Sequence, residues 1–398
     1  MRVCHVTILH PRGDQRILFR ECRSLALAGY DVHLIAPPSE HQVACPGVTI
    51  HTGPRLSAKW RVLLCTWQVF RLARREVRAE VYHFHDFWLI PFGLMITWFS
   101  KSAAVYDVHE EYSRATARSL ETRTWAPAFV RRSLERIVNA LETFGARRFV
   151  HVITVVDSIT DRFRRVTPHV TEVRNYVRRD LLPADPPTRE QYLARPPVVI
   201  HQGTLSALRG SDLMLRTARV MKDRGVPCTF WLVDRFLGDD QARRRFLTHL
   251  EELGIADCVE VKPPVMYEEI GKYLMQSRIG LSLRVLPTGY DAPTALTNIP
   301  TKLFEYMGFG LPIVAIDVNF HSIFLRETGA GILTEYEENS VADALERLLN
   351  HPDLAYRMGC DGFRAYQQKY TWDSQETCLL EAYRDIARRR EPSTEGAR

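Results

Sequence analysis

The chain has 398 residues, of which 45% are hydrophobic and 25% charged, and its formal net charge is +6. At about 100–200 residues per domain, this length is long for one core and suits two domains. The modest positive charge favours anionic ligands but is not a signature of nucleic-acid binding.

Reduced thiols are the simple interpretation of the cysteines, because the eight of them show no C-x-x-C or zinc-finger spacing. The N-terminus is predicted to be a strand rather than a signal peptide. No apolar run reaches the roughly 20 residues that a membrane-spanning helix needs. We therefore expect a cytoplasmic protein, with peripheral attachment to the inner face of the membrane left open.

The N-terminal residues alternate between predicted strands and helices. Strands are predicted at 3–9 and 32–36, on either side of a helix at 16–28. This order is typical of a parallel, doubly wound sheet, whose ligands bind at the carboxyl ends of the strands. Asp14 and Arg16, in the first such loop, are therefore candidate cleft residues, with a loop-fixing Asp14–Arg16 pair as the alternative. The loop has no G-x-G-x-x-G, which argues against an NAD-type enzyme.

A basic amphipathic helix is predicted at 60–78, where apolar residues such as Leu63 and Trp67 alternate with arginines. Such a helix can lie on an anionic membrane. A surface helix with a solvated charged face is the alternative, and it is the one we expect.

Polar clusters follow two later strands. His85 and Asp86 end the strand that starts at Val81, and His109 and Glu110 follow the strand that starts at Ala103. Two such clusters at successive strand ends are more than a single core histidine would explain. A helix at 122–148 and a strand at 150–156 come next, and Asp157 is predicted to be the N-cap of a further helix.

The second domain is predicted to open with a strand at 198–201, a loop at 202–210 and a helix from Asp212. Gly203 allows a ligand to approach the backbone, and Arg209 can direct its guanidinium at that ligand. With the amides of the helix N-terminus, these groups would hold a diphosphate without a metal. Arg209 as an ordinary surface residue of the loop is the alternative.

The most informative stretch runs from 297 to 317, T-N-I-P-T-K-L-F-E-Y-M-G-F-G-L-P-I-V-A-I-D. Asn298 and Pro300 are helix start signals, and a buried strand follows the helix. Lys302 and Glu305 share one helical face. A helix N-terminus suits a phosphate, and a carboxylate one turn further in suits ribose hydroxyls. A core helix whose Lys302 and Glu305 are solvated is the alternative.

The string P-T-K-L-F-E-Y-M followed by G-L-P-I-V-A resembles the donor-binding signature of GT-B glycosyltransferases, specifically the retaining family 4 group. The resemblance implies an α/β fold of two Rossmann-like domains that face each other across a cleft. It also implies that Glu305 holds the ribose hydroxyls of a nucleotide sugar. The family usually has a second Glu eight residues earlier, where this chain has Thr297.

The resemblance extends to further positions. In the family, a cation at the position of Arg209 contacts the donor phosphates, and a second cation usually stands where this chain has Thr204; Arg284 or Lys302 can replace it. The predicted catalytic residues are His109, Arg209 and Lys302. The predicted donor-binding residues are Gly203, Thr204, Arg209, Val265, Arg284, Lys302, Leu303 and Glu305. The predicted residues of the cleft or acceptor side are Asp14, Arg16, His85, Asp86, Glu110, Tyr290 and Asp291.

The predicted domains are an acceptor-side domain at 1–180, a linker at 181–197, a nucleotide-sugar-binding domain at 198–371, a helix at 372–387 that packs back on the first domain, and a polar tail at 389–398. The resemblance implies a hexosyltransferase that uses a nucleoside-diphosphate sugar, with UDP favoured by family frequency. We expect the reaction of this transferase to need no metal and no cofactor. The expected acceptor is a saccharide, a lipid-linked saccharide or a small natural product. A nucleotide-sugar epimerase of the same fold, or a non-catalytic partner of another transferase, is the alternative.

Overall fold

A computed structural model describes residues 1–39, 43–110, 112, 128–206, 209–233, 240–263, 265, 269–284 and 299–390. The chain divides into two compact units. Unit 1 comprises Met1–Asn175 with Asp373–Arg398, and unit 2 comprises Tyr176–Trp372. None of the helices in the described ranges is long and apolar enough to cross a membrane.

Unit 1 is built on a parallel sheet. Its strands are β1 Arg2–Val6, β2 Asp31–Ala36, β3 Val48–Thr52, β4 Val81–Phe84, β5 Ala103–Val108, β6 His151–Thr154 and β7 Val170–Glu172. They are ordered β3-β2-β1-β4-β5-β6-β7. In this register His5 of β1 pairs with His83 of β4. The carboxyl ends of parallel strands meet at one edge, so the loops that carry the predicted polar clusters start from the same edge.

The helices of unit 1 cover both faces of that sheet. They are a π-helical segment Ile17–Cys22 that continues as α1 Arg23–Leu27, then α2 Val62–Leu72 with a π-helical extension Ala73–Val77, α3 Ile90–Phe99, α4 Ala128–Ala146, α5 Asp157–Arg164 and the C-terminal helix Trp372–Arg390. Short 3₁₀ turns occupy Lys59–Arg61 and Phe87–Leu89.

The two faces of the sheet in unit 1 differ in chemistry. Successive side chains of a strand point to opposite faces. On one face Cys4, Tyr82 and Tyr106 belong to a large hydrophobic core. The alternate residues of the same three strands include His5 and His83, which are also fully buried. One face is therefore an ordinary apolar core, and the other carries buried titratable groups.

Unit 2 contains a second parallel sheet. Its strands are β8 Val198–Gln202, β9 Thr229–Val233, β10 Val259–Lys262, β11 Ile279–Ser282, β12 Ile313–Ile316 and β13 Gly331–Thr334, in the order β10-β9-β8-β11-β12-β13. Its helices are α6 Arg189–Leu193, α7 Ser211–Asp223, α8 Asp240–Glu252, α9 Ile270–Leu274, α10 Thr301–Gly308, α11 Asn319–Thr328, α12 Glu338–Asn350 and α13 Pro352–Lys369, with a 3₁₀ turn at Arg179–Leu181.

Some local features differ from the sequence-based expectations. Asp157 lies in the first turn of α5, and Val156 occupies the N-cap position. The carboxylate of Asp157 instead forms an ion pair with Arg174. Residues 181–197, predicted to be a linker, lie in unit 2, where Thr188 and Gln191 form a capping box at the start of α6. Strands β3, β7 and β13 and helix α11 were not predicted.

The predicted basic helix is present as α2, but its buried side chains are Cys65, Thr66 and Val69. Leu63 is 73% exposed, and Trp60, just before the helix, is 81% exposed. Leu63, Leu64 and Trp67 therefore face outward, whereas Phe70 and Leu72, further along the helix, are partly buried against the core.

Candidate functional site

Asp107 is the centre of a charged network at the strand ends of unit 1. It lies at the end of β5 and is fully buried. Arg16 donates two hydrogen bonds to its carboxylate, from Nε to Oδ2 and from Nη2 to Oδ1, both at 3.0 Å. Burial would raise the pKa of Asp107, but Arg16 and the neighbouring histidines hold it well below its usual value. The carboxylate is therefore ionised and acts only as a hydrogen-bond acceptor.

Two histidines share the same oxygen of Asp107. Nδ1 of His85 and Nε2 of His109 each lie 3.0 Å from Oδ2. Since this carboxylate only accepts, both nitrogens carry the donated hydrogen. In neutral His109 the lone pair is therefore on Nδ1, which makes no hydrogen bond to another described residue. With a side chain 11% exposed, His109 can offer Nδ1 as an acceptor or a base.

Arg16 and Asp14 have separate roles in the loop after β1. Asp14 Oδ1 accepts hydrogen bonds from the backbone amides of Arg16 and Ile17, at 2.9 and 3.0 Å. The guanidinium of Arg16 turns instead to Asp107 and also donates to the carbonyl oxygen of Val173 at 2.7 Å. Asp14 thus shapes the loop through backbone contacts, and Arg16 ties that loop to the ends of β5 and β7.

Asp86 holds the backbone of the same loop. Its Oδ2 accepts hydrogen bonds from the hydroxyl of Thr7 at 2.9 Å and from the amide of Ile8 at 2.6 Å. Its Oδ1 lies 3.6 Å from His10 Nε2. Asp86 is fully buried, so its main contacts are with the protein rather than with solvent.

His10 was not among the predicted residues, but it lies beside His109, with ring centroids 5.0 Å apart. Burial lowers the pKa of His10, but Asp14 and Asp86 outweigh this effect and raise it above the usual value. Glu110, which follows His109, is exposed. The rim of this region therefore presents His10, His109 and Glu110.

Lys302 and His201 form the centre of the second candidate region, in unit 2. Nζ of Lys302 lies 3.3 Å from Nδ1 of His201, which lies near the carboxyl end of β8. Both side chains are buried, and so is that of Glu305. The alternative of solvated Lys302 and Glu305 is therefore wrong. Burial, and then the charge of Lys302, hold the pKa of His201 well below its usual value.

Three cations act on two buried histidines at these strand ends. The charges of Lys302 and Arg209 both lower the pKa of His201, after burial itself. Burial, Lys302 and Arg284 lower the pKa of His321 to about 3. His321 is held by Ser282 Oγ at 3.1 Å and by the carbonyl oxygen of Ile316 at 2.9 Å. The region thus combines several positive charges with neutral imidazoles.

Two glycines, Gly203 and Gly210, determine the backbone conformation on the N-terminal and C-terminal sides of Arg209. Gly203 has a φ of +101°, and a Cβ added there would meet nothing within 4 Å, so a ligand can approach this turn. Gly210 has a φ of +77°, and a Cβ there would lie 2.4 Å from the carbonyl oxygen of Leu283. Only glycine fits this close approach, which brings the N-terminus of α7 to the end of β11. Thr204 is half-buried beside Gly203.

Two predicted donor-binding residues contribute to packing in unit 2. Leu303 is fully buried in the hydrophobic core, and its amide donates to the carbonyl oxygen of Pro300 at 3.0 Å. Val265 is partly buried against the same core. Tyr290, Asp291 and Asn298 lie outside the described residues.

Comparison with known proteins relates these two regions to a family. The model for "Glycosyltransferase Family 4" matches residues 11–180, and the model for "Glycosyl transferases group 1" matches residues 196–351. The chain is 26% identical over 277 residues to an alpha-D-kanosaminyltransferase from Streptomyces kanamyceticus, and the alignment covers 63% of this chain and 66% of that protein. It is 28% identical over 192 residues to a D-inositol 3-phosphate glycosyltransferase from Streptomyces griseus, and that alignment covers 47% of this chain and 38% of the relative. The matches thus span less than two thirds of these relatives.

Solved structures agree in fold along nearly the whole chain. Sucrose-phosphate synthase from Thermosynechococcus elongatus has a TM-score of 0.70 at 14% identity, covering 98% of this chain and 99% of that one. Anabaena HepE in complex with UDP-glucose has a TM-score of 0.69 at 13% identity, covering 97% and 100%. The predicted α/β fold of the GT-B class is confirmed. The chain belongs to the family 4-like glycosyltransferases.

Proposed function

We propose that this protein is a glycosyltransferase that moves a hexose from a UDP-sugar to a hydroxyl group of a saccharide acceptor, with retention of the anomeric configuration. The observation that carries the proposal is the contact of Lys302 Nζ with His201 Nδ1 at 3.3 Å, together with the positive charges of Arg209 and Arg284, which act on the buried histidines of unit 2. Such a cluster attracts an anion, and a diphosphate is the anion that the donor of this family supplies.

The chemical step that we propose is stabilisation of charge on the leaving diphosphate. Arg209 and Lys302, with the N-terminus of α7, neutralise the oxygens that become negative as the sugar departs. The proton of the acceptor hydroxyl passes to the leaving phosphate, so the step needs no strong general base. Glu305 accepts hydrogen bonds from the ribose hydroxyls. Tyr290 and Asp291 remain proposed contacts to the sugar.

His109 belongs to the sugar and acceptor side of the proposed reaction. Asp107 fixes the orientation of its ring, and Nδ1 is left to accept a hydrogen bond. A hydrogen bond from a hydroxyl of the sugar to this nitrogen would orient the reacting carbon. We assign this role to His109 and loop-shaping roles to Asp14, Arg16, His85 and Asp86.

Two observations bear on the acceptor. One relative is named as a transferase of kanosamine, and another as a transferase that uses inositol phosphate. In unit 1 the exposed side chains of Trp60, Leu63 and Trp67 lie on a segment that also carries Arg61 and Arg71. Exposed aromatic and leucine side chains among arginines fit an anionic lipid surface. A lipid-linked saccharide is therefore the acceptor class that we favour.

A panel of UDP-, GDP- and dTDP-sugars, each with and without saccharide acceptors, tests the function. Mass spectrometry would follow the released nucleotide and the product, and NMR would give the anomeric configuration. We expect UDP release that depends on the acceptor. An isomerised donor without acceptor would identify an epimerase, and donor binding without turnover would identify a non-catalytic partner. Arg216→Ala is the matched control for Arg209→Ala, because Arg216 lies in helix α7, which follows Arg209, and is paired with Glu338.

A further inference from the structure

Four side chains with metal-binding atoms meet inside unit 1. They are His5 of β1, His83 and His85 at the end of β4, and Glu21 of the π-helical segment, and all four are fully buried. One ligand atom from each lies within 4.8 Å of the others. The register explains the three imidazoles, because His5 pairs with His83 and His85 is two residues further along on the same face.

Glu21 gives a specific reason to expect a ligand here. Its Oε2 lies 3.7 Å from His5 Nδ1 and 3.9 Å from both His83 Nε2 and His85 Nε2. These distances are too long for hydrogen bonds, and neither oxygen of Glu21 has a hydrogen-bond partner among the described residues. Arg16 Nε forms an ion pair with Oε1 at 2.9 Å while it donates its hydrogen to Asp107 Oδ2 at 3.0 Å. One oxygen of Glu21 thus faces a cation of the protein, whereas Oε2 lies against the three imidazoles, and a buried carboxylate oxygen that lacks a hydrogen bond is costly.

The spacing of the donor atoms fits a tetrahedral metal ion. Zinc bonds to imidazole nitrogen and carboxylate oxygen of roughly 2.1 Å place neighbouring ligand atoms about 3.4 Å apart. In the structure His5 Nδ1 and His85 Nε2 are 2.9 Å apart, and the three distances from Glu21 Oε2 are 3.7, 3.9 and 3.9 Å. These four distances lie on both sides of the ideal value and within about 0.5 Å of it.

In two of the histidines the ring nitrogen that faces away from the site contacts another side chain, as is usual for metal ligands. Nδ1 of His85 donates to Asp107 Oδ2 at 3.0 Å, and Nδ1 of His83 lies 2.8 Å from the hydroxyl of Tyr383. A carboxylate or hydroxyl on the outer nitrogen fixes the ring and leaves Nε2 for a metal. Nε2 of His85 also lies 2.9 Å from His5 Nδ1, and an ion at this place would replace the hydrogen bond between the two rings.

One guanidinium stands against two buried carboxylates beside this cluster. Arg16 Nε lies 2.9 Å from Glu21 Oε1 and 3.0 Å from Asp107 Oδ2. With both carboxylates ionised, the three side chains carry a net negative charge, which a divalent cation at Oε2 would offset.

We propose that His5, Glu21, His83 and His85 bind one structural zinc ion in unit 1. All four positions are filled by protein and the site is fully buried, which is the pattern of a structural centre rather than a catalytic one. The ion joins β1, β4 and the π-helical segment beneath the Asp107 network. It is separate from the proposed diphosphate site in unit 2 and takes no part in the charge stabilisation there.

The test measures metal content and stability of the full chain, with any affinity tag removed. Purified protein is stripped with a chelator, incubated with Zn²⁺ and dialysed, and zinc is counted by inductively coupled plasma mass spectrometry. We expect about one zinc per chain and a melting temperature at least about 5 °C above that of the stripped protein. Substitution with Co²⁺ should give the intense visible absorption of a tetrahedral centre.

Variants separate this site from surface binding. Glu21→Gln and His83→Gln keep the volume of the side chains, and each should lower zinc content at least tenfold. His51→Gln is the matched control, because His51 forms another contact between two histidines of the same sheet, with its Nε2 2.9 Å from His33 Nδ1. The His51 variant should keep the zinc. The proposal is overturned if folded wild-type protein takes up no zinc, or if the folded Glu21 and His83 variants retain it. All of these readouts are independent of transferase activity.

Discussion

The two candidate regions distribute charge in opposite ways. In the candidate region of unit 1 the central carboxylate is met by a protein cation at close range, since Arg16 donates two hydrogen bonds of 3.0 Å to Asp107. In unit 2 Arg209, Arg284 and Lys302 act together on histidines that burial keeps neutral. Glu305 is the carboxylate among the described donor-binding candidates of unit 2.

The difference indicates what each region does with its charge. A network whose charges cancel within the protein is preorganised, so it can hold a ring such as that of His109 in one orientation. A region in which positive charges are gathered is stabilised when an anion enters it. We therefore expect mutations in unit 1 to affect folding and geometry, and mutations in unit 2 to affect ligand binding.

The largest expected effect is on the stability of unit 1. Asp107→Ala removes the two hydrogen bonds between Arg16 and Asp107 and leaves the guanidinium buried. This change should lower the free energy of unfolding by about 3–5 kcal/mol. Urea denaturation followed by circular dichroism measures it. Asp31→Ala, which breaks the exposed pair with Arg2, is the control and should cost no more than about 1 kcal/mol. Equal losses would mean that the Asp107 network is not a stabilising centre.

His109→Ala should lower turnover by roughly 10²–10⁴-fold, the range for one positioned polar or acid–base group. UDP affinity should change little, since the proposed contact is to the sugar and matters most in the transition state. Turnover, UDP affinity and melting temperature are to be measured on one preparation. Near-normal turnover would remove His109 from the active site, and a large drop in melting temperature would reduce it to a structural residue.

Arg209→Ala should reduce turnover by about 100-fold or more, as expected for loss of a group that stabilises the leaving diphosphate. UDP binding should weaken far more than uridine binding, because only UDP carries the phosphates. Isothermal titration calorimetry with both ligands gives the comparison. If the affinities for UDP and uridine fell equally, the contact of Arg209 would have to be elsewhere.

Glu305→Gln should weaken UDP and uridine to a similar extent, because both carry the ribose. Hydrogen bonds to a charged group contribute about 1.5–3 kcal/mol, which corresponds to roughly 10–150-fold in affinity. Circular dichroism should show an unchanged fold. Unaltered uridine affinity would exclude the ribose contact.

The smallest expected effect concerns the exposed face of α2. Wild-type protein should sediment with anionic liposomes at low salt and be released at high salt, because screening weakens attraction between lipid and arginine. Replacing Trp60 and Leu63 with serine should reduce the bound fraction several-fold. Ile323→Ser, at an exposed apolar position of unit 2, is the control. Equal recovery with neutral and anionic vesicles would leave α2 an ordinary surface helix.

The order of elements could be predicted from the sequence because its signals are local. The run from Asn298 to Ile316 contains start, stop and periodicity signals within one short window, and the structure has α10 and β12 within it. The same window brought Lys302 and Glu305 to one face. Their burial could not be predicted from it, since burial depends on residues as distant as His201.

The residues that were missed are those whose partners are far away in sequence. Asp107 is 91 positions from Arg16, and nothing near Asp107 indicates that pairing. The face of α2 that packs against the protein was likewise not predictable. Hydrophobicity identifies a helix with two faces, but the fit of small side chains such as Cys65 and Val69 against the sheet decides which face is buried.

Because unit 1 includes the C-terminal helix, its two parts are synthesised before and after unit 2. Tyr383 and Ile386 are fully buried, and the Tyr383 hydroxyl contacts His83, 300 positions earlier. Domains emerge from the ribosome N-terminal end first, so the sheet of unit 1 is translated long before the helix that completes it. All of unit 2 is made in the interval. The core of unit 1 is thus divided in the order of synthesis, and it is complete only after the segment that carries Tyr383 and Ile386 has been made.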